Sequence, residues 1–257
     1  MGSLATVRES FPSKARSASH SADAWDLETE TADLATLIRS SGQPVSIKRG
    51  HALFSAGDAA NSVFGIVSGL VRTSMMLSDG RRQIIGFHEA GDVLGVTLAQ
   101  QHSLTAEAVI TTQLLTVNRI WLQGVLGLQP RLCLSLIPLA SRSMDAARRH
   151  LMLLGRMTAR ERLCTFLLER LRGEAGVIEL PMSRSDIADY LGLTIETVSR
   201  TLTQLRFEGV IQAAAARGVE IADRKRLLDC MEDAHPLVRE ARTEATPDPA
   251  RPKRTRG

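Results

Sequence analysis

The spacing of apolar residues changes along the chain, and each change predicts a different kind of element. Across residues 44–126, short apolar runs alternate with glycine-containing turns, which is typical of a small antiparallel roll or barrel. Across residues 130–155, apolar residues recur every three or four positions, which predicts a long helix. Residues 158–171 continue the helical pattern, and residues 183–211 read as two further helices joined by a tight turn.

The predicted roll is defined mainly by its turns. The pair Asp79-Gly80 lies between two apolar strands and is the strongest hairpin signal in the chain. A short helix is expected before the roll, over residues 25–39, with leucines and an isoleucine facing the next domain. The remaining turn pairs are Gly57-Asp58, Ser68-Gly69 and Gly91-Asp92.

The start and end of each helix in residues 183–211 can be assigned from side-chain chemistry. Ser183 is placed to cap the first helix, and Asp186 three positions later completes a start that resembles a capping box. Gly192 predicts the end of that helix, because glycine adopts a left-handed conformation at little cost. Thr194 offers a hydroxyl to begin the second helix, which is expected to run to about Phe207.

The second of these helices has two chemically distinct faces. At about 100° per residue, its apolar residues share one side and its hydrogen-bonding residues share the opposite side. Arg, Glu and Ser are side chains that read base edges in the major groove of DNA. Alternatively, Glu196 and Arg200 form an ordinary solvent-exposed ion pair. The apolar face comprises Ile195, Val198, Leu202 and Leu205, and the polar face Glu196, Ser199, Arg200 and Thr203.

The long helix before this module carries an apolar stripe with alternating spacings of three and four. This is the pattern of a coiled-coil seam, so the stripe predicts either an intramolecular core or, between two domains, a dimer interface. Pro138 is expected either to begin this helix or to kink it. The seam residues are Ile137, Ala140, Met144, Ala147, Leu151 and Leu154.

Composition narrows the class of protein. The chain has 257 residues, 44% of them hydrophobic, and a formal net charge of +4, which permits an anionic partner. No apolar run is long enough to span a bilayer and no secretory leader is visible, so we expect a cytoplasmic protein without a membrane partner. Three widely separated cysteines do not form a disulfide framework.

Two segments resemble a known family. The segment LPMSRSDIADYLGLTIETVSRTLTQLRFEGVI closely resembles the DNA-binding helices of the Crp–Fnr regulators, and within them the Fnr/FixK branch. The segment GFHEAGDVLG, residues 86–95, is similar to the sensory β-roll of the same family. The resemblance covers roughly residues 40–225. It implies an α+β chain with an N-terminal cyclic-nucleotide-binding-like β-roll, a long dimerisation helix and a C-terminal winged helix-turn-helix.

The resemblance also implies partners and roles. The partners would be double-stranded DNA with a palindromic TTGAT-type site, RNA polymerase, and a second copy of the chain. Glu196, Ser199 and Arg200 correspond to the base-reading set of the Fnr/FixK branch. A loop formed by Asp79, Gly80 and Arg81 is a candidate polymerase contact. The candidate phosphate or auxiliary contacts are Ser183, Arg184, Thr194, Thr197, Thr203 and Arg217.

The expected domain organisation has five parts. A disordered N-terminal tail would occupy residues 1–25 and the β-roll residues 26–127. The dimerisation helix would follow over 128–156, the winged helix-turn-helix over 157–236, and a basic disordered tail over 237–257.

No cofactor is expected. No cysteine precedes Cys133, whereas an iron–sulfur cluster needs several close thiolates. Cyclic-nucleotide-binding relatives place an arginine before Ser or Thr and Ala, but Leu104 stands there, and no Lys or Arg occurs between Arg82 and Arg119. We therefore expect neither an iron–sulfur cluster nor a cyclic nucleotide.

Three alternatives are compatible with these patterns. The same fold could act as a repressor, or its roll could respond to haem or a nitrogen oxide. The protein could also be an enzyme, although no catalytic triad, P-loop, GxGxxG motif or metal-ligand cluster is visible in the sequence. The resemblance favours an activator of low-oxygen, nitrogen-oxide or nitrogen-fixation genes.

Overall fold

The computed structural model describes residues 27–171, 176–214 and 218–230. The tails expected at 1–25 and 237–257 lie outside this part, as do Arg217 and residues 231–236. The elements are, in order, α1 (Leu27–Ser41), β1 (Gln43–Ile47), β2 (Ala52–Phe54), β3 (Ser62–Ser68), β4 (Val71–Met76), β5 (Arg82–His88), β6 (Val93–Leu94), β7 (Thr105–Ala108), β8 (Thr112–Asn118), α2 (Arg119–Leu128), α3 (Pro130–Leu134), α4 (Leu136–Arg156), α5 (Ala159–Glu169), β9 (Val177–Glu179), α6 (Arg184–Leu191), α7 (Ile195–Phe207), β10 (Ile211–Ala213), β11 (Gly218–Ile221) and α8 (Arg224–Asp229).

Strands β1 to β8 form the predicted antiparallel roll from two four-stranded sheets. Their orders are β1-β8-β3-β6 and β2-β7-β4-β5. Ile66, Val71, Ala106 and Leu114 fill the space between the sheets and are nearly inaccessible to solvent. The β4–β5 hairpin forms where Asp79-Gly80 predicted it, with Met76 opposite Arg82 and Gly80 at a φ of 84°.

Helix α1 closes one end of the roll, as the periodicity before residue 40 predicted. Leu34 and Ile38 are buried against Val63, Val117 and Leu122 of the roll and α2. Burial of such side chains contributes about 1.5–3 kcal/mol each. The N-terminal helix is therefore an integral part of the sensory domain.

The predicted long helix is interrupted. Helix α3 ends at Leu134 and α4 begins at Leu136, with the Ser135 hydroxyl donating to the carbonyl of Leu132 at 2.6 Å. Pro138 explains the position of the break, because it has no N–H to donate to the carbonyl of Leu134 and its ring would clash with that carbonyl. Pro138 is the third residue of α4, and Ser135 between the two helices keeps right-handed helical angles (φ −67°, ψ −15°), so of the two roles considered for Pro138 the kink in a longer helix is the one observed.

Helix α4 has an inner face and an outer face. His150 and Leu153 on the inner face are buried against the rest of the chain. The predicted seam lies on the outer face, where Ile137, Met144 and Leu151 are 58%, 53% and 70% exposed. Ala140 and Ala147 are also exposed, whereas Leu154 at the end is half-buried and packs against the winged-helix core.

The C-terminal module packs α5, α6, α7 and α8 beside a three-stranded sheet of order β10-β11-β9. Its centre includes Leu163, Phe166, Leu191 and Leu205, each completely buried. Cys164 is buried with them as a small core residue. Strands β10 and β11 pair as the wing of the expected winged helix-turn-helix, while β9 was not predicted.

One hydrophobic core continues from the roll into the winged helix. Leu70, Val109 and Phe87 of the roll belong to the same cluster as Phe166 and Leu191 of the helical module. Within the described residues, no single helix is long and apolar enough to cross a membrane; the segments 119–128 and 131–156, bent by 115° to each other, meet that test only as a pair.

Candidate nucleic-acid interface

Helix α6 begins and ends as its sequence predicts. The Ser183 hydroxyl accepts from the Asp186 N–H at 3.0 Å, and the Asp186 carboxylate accepts from the Ser183 N–H at 3.0 Å, forming a reciprocal capping box. Gly192 ends the helix with a φ of 62°, a left-handed value that only glycine adopts cheaply. The predicted capping box and turn are therefore both confirmed.

Helix α7 is anchored by its apolar face. Val198, Leu202 and Leu205 are buried against α5 and α6, as predicted. The prediction that Ile195 joins them is wrong, since Ile195 is 46% exposed. It is the first residue of the helix and follows the exposed turn at Thr194, so it lies beyond the packed part of the face.

The opposite face of α7 carries the predicted base-reading side chains. Glu196 and Arg200 are exposed and Ser199 is half-buried. Hydrogen bonds from its own backbone N–H and from the Thr194 hydroxyl, together with the charge of Arg200, lower the pKa of Glu196. Glu196 therefore presents an ionised acceptor near neutral pH beside the permanently charged donor Arg200.

A contact that sequence reasoning missed joins the two helices. Arg184 Nη1, at the start of α6, donates to Ser199 Oγ on α7 at 3.0 Å. Ser199 is thereby oriented by a cation from the neighbouring helix, and its own carbonyl accepts from the exposed Thr203 hydroxyl at 2.9 Å. No periodic signal in the sequence links positions 184 and 199, because the turn between the helices sets that distance.

Four of the candidate phosphate or auxiliary residues lie at the N-termini of α6 and α7. The Thr194 hydroxyl caps α7 by accepting from the Thr197 N–H at 3.1 Å, and the two threonine hydroxyls are 3.0 Å apart. Both lie at the N-terminus of α7, where backbone N–H groups attract anions. Arg184 is exposed and Ser183 half-buried. Arg217 lies outside the described residues.

The far end of α7 is fixed by an ion pair that the sequence did not reveal. Arg160 of α5 binds both carboxylate oxygens of Glu208, at 2.9 and 2.5 Å. This hydrogen-bonded guanidinium lowers the pKa of Glu208 to about 2. Beside it, Phe207 is 93% exposed and forms an open apolar surface with Arg200, Thr203 and Gln204.

The candidate polymerase loop projects from the roll at the tip of the β4–β5 hairpin. Asp79, Gly80 and Arg81 are all exposed. Hydrogen bonds from the Arg81 backbone and side chain, at 3.0 and 2.7 Å, lower the pKa of Asp79. The tip is thus locally ordered and presents both signs of charge.

The comparisons with known proteins agree with this geometry. Residues 44–126 match the family model described as "Cyclic nucleotide-binding domain", and residues 161–230 match "Crp-like helix-turn-helix domain". The "Nitrogen fixation regulation protein FixK" of Azorhizobium caulinodans is 40% identical over 205 residues, covering 77% of this chain and 83% of the relative. The chain belongs to the Crp–Fnr family of transcription regulators. Its relatives include the "Transcriptional activator protein FnrA" of Stutzerimonas stutzeri, 36% identical over 180 residues, 67% of this chain and 73% of that protein.

The three-dimensional comparison gives the same family. The solved structure of FixK2 from Bradyrhizobium japonicum has 41% sequence identity and a TM-score of 0.70, covering 74% of this chain and 96% of that one. The Crp–Fnr fold, with a β-roll followed by a C-terminal helix-turn-helix, is therefore shown, as is the Fnr/FixK-like branch.

Proposed function

We propose that this Crp–Fnr protein binds a palindromic Fnr/FixK-type site as a homodimer, reading each half-site with Glu196, Ser199 and Arg200. The observation that carries the proposal is the exposed polar face of α7, rigidly mounted on a buried apolar face. An exposed face of this chemistry fits a major groove, where Arg pairs with guanine and Glu with cytosine. Binding two half-sites would follow from pairing of two α4 helices.

The exposed apolar stripe on α4 supports the homodimer. Ile137, Met144 and Leu151 are spaced by seven residues and lie on one face in this protomer, open to solvent. A helix normally exposes polar residues, so a regular exposed apolar seam favours a second helix of the same kind. Leu154 would close the seam where it meets the winged helix.

We infer that the roll uses no cyclic nucleotide or iron–sulfur cluster. Leu104 replaces the expected arginine, and the two arginines that flank the cation-free stretch are already used. Arg119 donates to the carbonyls of Ala60, Ala99 and Leu98, and Arg82 is bound to carboxylates of α6. A buried cyclic phosphate would need such a cation as its partner.

The biological role that we propose is based on the similarity to the relatives. We propose an activator, acting in the cytoplasm without enzymatic activity, that contacts RNA polymerase through Asp79, Gly80 and Arg81. Its target genes would serve low-oxygen, nitrogen-oxide or nitrogen-fixation metabolism, in keeping with the nitrogen-fixation regulators that it resembles.

A binding titration tests the proposal. Colourless protein, purified in air and given no effector, is titrated against a TTGAT palindrome and a scrambled duplex at fixed salt. We expect specific binding at about 10⁻⁸ M or tighter, and at least about 10³-fold weaker binding to the scrambled duplex. Equal affinity for both duplexes contradicts sequence-specific reading. Binding that requires a nucleotide, haem, nitric oxide, or iron with reductant contradicts the cofactor-free part.

A further inference from the structure

The β4–β5 hairpin is bound to the first helix of the helix-turn-helix by partly buried charges. Arg82 on β5 donates from Nη2 to Asp186 at 2.7 Å and to Asp189 at 2.7 Å, and from Nε to Asp189 at 2.9 Å. Arg72 on β4 donates to the same Asp186 oxygen at 2.8 Å. We call these four residues the hairpin clamp. It joins positions more than one hundred residues apart in the chain.

Arg72 of the hairpin clamp is also bound by a carboxylate within the roll. Arg72 Nη2 also binds Glu107 of the adjacent strand β7 at 2.5 Å, so its guanidinium is fixed between two carboxylates. The Arg72 side chain is 14% exposed and that of Asp186 only 5%. Gln83 adds a hydrogen bond from Nε2 to the Tyr190 carbonyl at 3.3 Å. Charge-assisted bonds among shielded groups fix direction as well as distance.

Apolar contacts alone would not fix the angle between the roll and the winged helix. Phe87 of β5 lies 5.4 Å from the Tyr190 ring and 6.3 Å from the Phe166 ring. Apolar burial is non-directional, so such a surface tolerates a small rotation of one domain on the other. Separating Asp186 from both arginines would leave a shielded carboxylate without its cations, which is costly. The clamp therefore selects one orientation from those that the apolar surface allows.

That orientation controls what a dimer reads. Asp186 is at once a clamp residue and part of the N-terminal capping box of α6, and α6 is joined to the reading helix α7 by Gly192 and by the Arg184–Ser199 bond. A rotation of α6 on the roll would therefore carry the reading face with it. One base pair of half-site spacing corresponds to roughly 3.4 Å along the duplex axis and 35° around it.

We propose that Arg72 and Arg82 are positioning residues: acting through Asp186 and Asp189, they fix the angle of each reading helix and so set the half-site spacing that the dimer accepts. This inference rests on the proposed palindrome-binding function. Neither arginine belongs to the reading face of α7. Without the two arginines, the dimer should accept more than one half-site spacing, while the contacts within each half-site remain available.

The test compares spacing profiles. Wild-type dimer and the Arg72→Gln/Arg82→Gln double variant are titrated against the best-bound palindrome and against duplexes with one base pair removed from or added to its spacer. We expect the wild type to lose about tenfold or more on the altered spacers, as it would for a mismatched base pair. The double variant should lose less than about threefold, and its binding to the original palindrome should weaken modestly.

Controls separate positioning from folding. Arg81→Gln removes a cation from the exposed tip of the same hairpin and should keep the wild-type spacing profile. Asp189→Asn leaves the capping box intact and should broaden the profile. Exchanging the charges in Arg82→Glu/Asp189→Arg should restore part of the discrimination that Arg82→Glu removes. Thermal unfolding of every variant establishes that the domains remain folded.

The outcomes are distinct. If the wild type binds the palindrome and the folded double variant keeps its spacing profile, the clamp does not position the reading helices. A uniform gain in affinity on all duplexes would also overturn the inference, because it would make the clamp an inhibitory contact. Failure of the wild type to prefer any palindrome would instead contradict the proposed function itself.

Discussion

The guanidinium of Arg184 donates to the hydroxyl of Ser199 at 3.0 Å, so a candidate phosphate contact on one helix orients a candidate base contact on the next. Both residues lie on the same surface, and neither could reach the other without the tight turn at Gly192. One hydrogen bond therefore links the candidate phosphate contact, Arg184, to the candidate base contact, Ser199. Substituting each residue in turn should distinguish the two roles.

Arg184→Ala should affect binding in two ways. Loss of the cation should weaken binding to specific and random duplexes alike and reduce the slope of log affinity against log salt by about one for each phosphate that Arg184 neutralises. Removing the bond to Ser199 should further weaken binding to the palindrome alone, by a small amount. Ser199→Ala removes the same hydrogen bond but no cation, so it should leave the slope of log affinity against log salt unchanged. An unchanged slope in Arg184→Ala would show that Arg184 does not bind phosphate.

Arg200→Ala should reduce sequence discrimination. Each half-site would lose about 1–3 kcal/mol of specific binding, and a dimer incurs the loss twice. Affinity for random DNA should change little in comparison. The measurement is the ratio of affinities for the palindrome and the scrambled duplex at one salt concentration. Arg206→Ala, a change at an exposed cation of the same helix outside the predicted reading set, is the matched control. Equal weakening on both duplexes would identify Arg200 as a phosphate-binding residue.

Leu151→Asp should produce a monomer. If α4 pairs with its counterpart, this residue brings an unpaired charge from each subunit into an apolar interface, at a cost on the order of 3–5 kcal/mol. Because Leu151 is 70% exposed in a single protomer, the domains themselves should stay folded. Ala146→Asp adds the same charge at an exposed position of α4 outside the seam and should remain dimeric. Sedimentation velocity measures both, and an intact Leu151→Asp dimer would exclude Leu151 from the interface.

Acidification should loosen the junction around His150. This histidine is buried beside the Tyr190 ring, with the two ring centroids 4.3 Å apart, and burial lowers its pKa. A histidine with a lowered pKa stabilises the folded state above its unfolded value of about 6.5, and this contribution is lost as pH falls through the lower folded value.

The measurement is the melting temperature between pH 7.5 and pH 5. His150→Gln cannot titrate, so its melting temperature should fall less over this range than that of the wild type. His51→Gln, a change at an exposed histidine, should follow the wild type. Identical pH dependence in all three proteins would show that His150 does not contribute to acid sensitivity.

Local chemistry made several parts of this protein predictable from its sequence. The capping box at Ser183 and Asp186, the end of α6 at Gly192 and the hairpin at Asp79-Gly80 each depend on residues within a few positions of one another. The apolar face of α7 followed from helical periodicity, which failed only at Ile195 in the first turn. Pro138 marked a kink in the long helix, and the interruption falls three residues earlier, at Ser135.

Only the tertiary structure decided how the modules meet. Asp186 has the sequence signature of a helix cap, and nothing within several residues of it indicates two arginines from strands more than one hundred positions away. The same is true of Arg160 with Glu208 and of Arg184 with Ser199. Sequence patterns report which face of an element is apolar, because that depends on periodicity. Which charged groups meet across two faces depends on the docking angle, which the whole core determines.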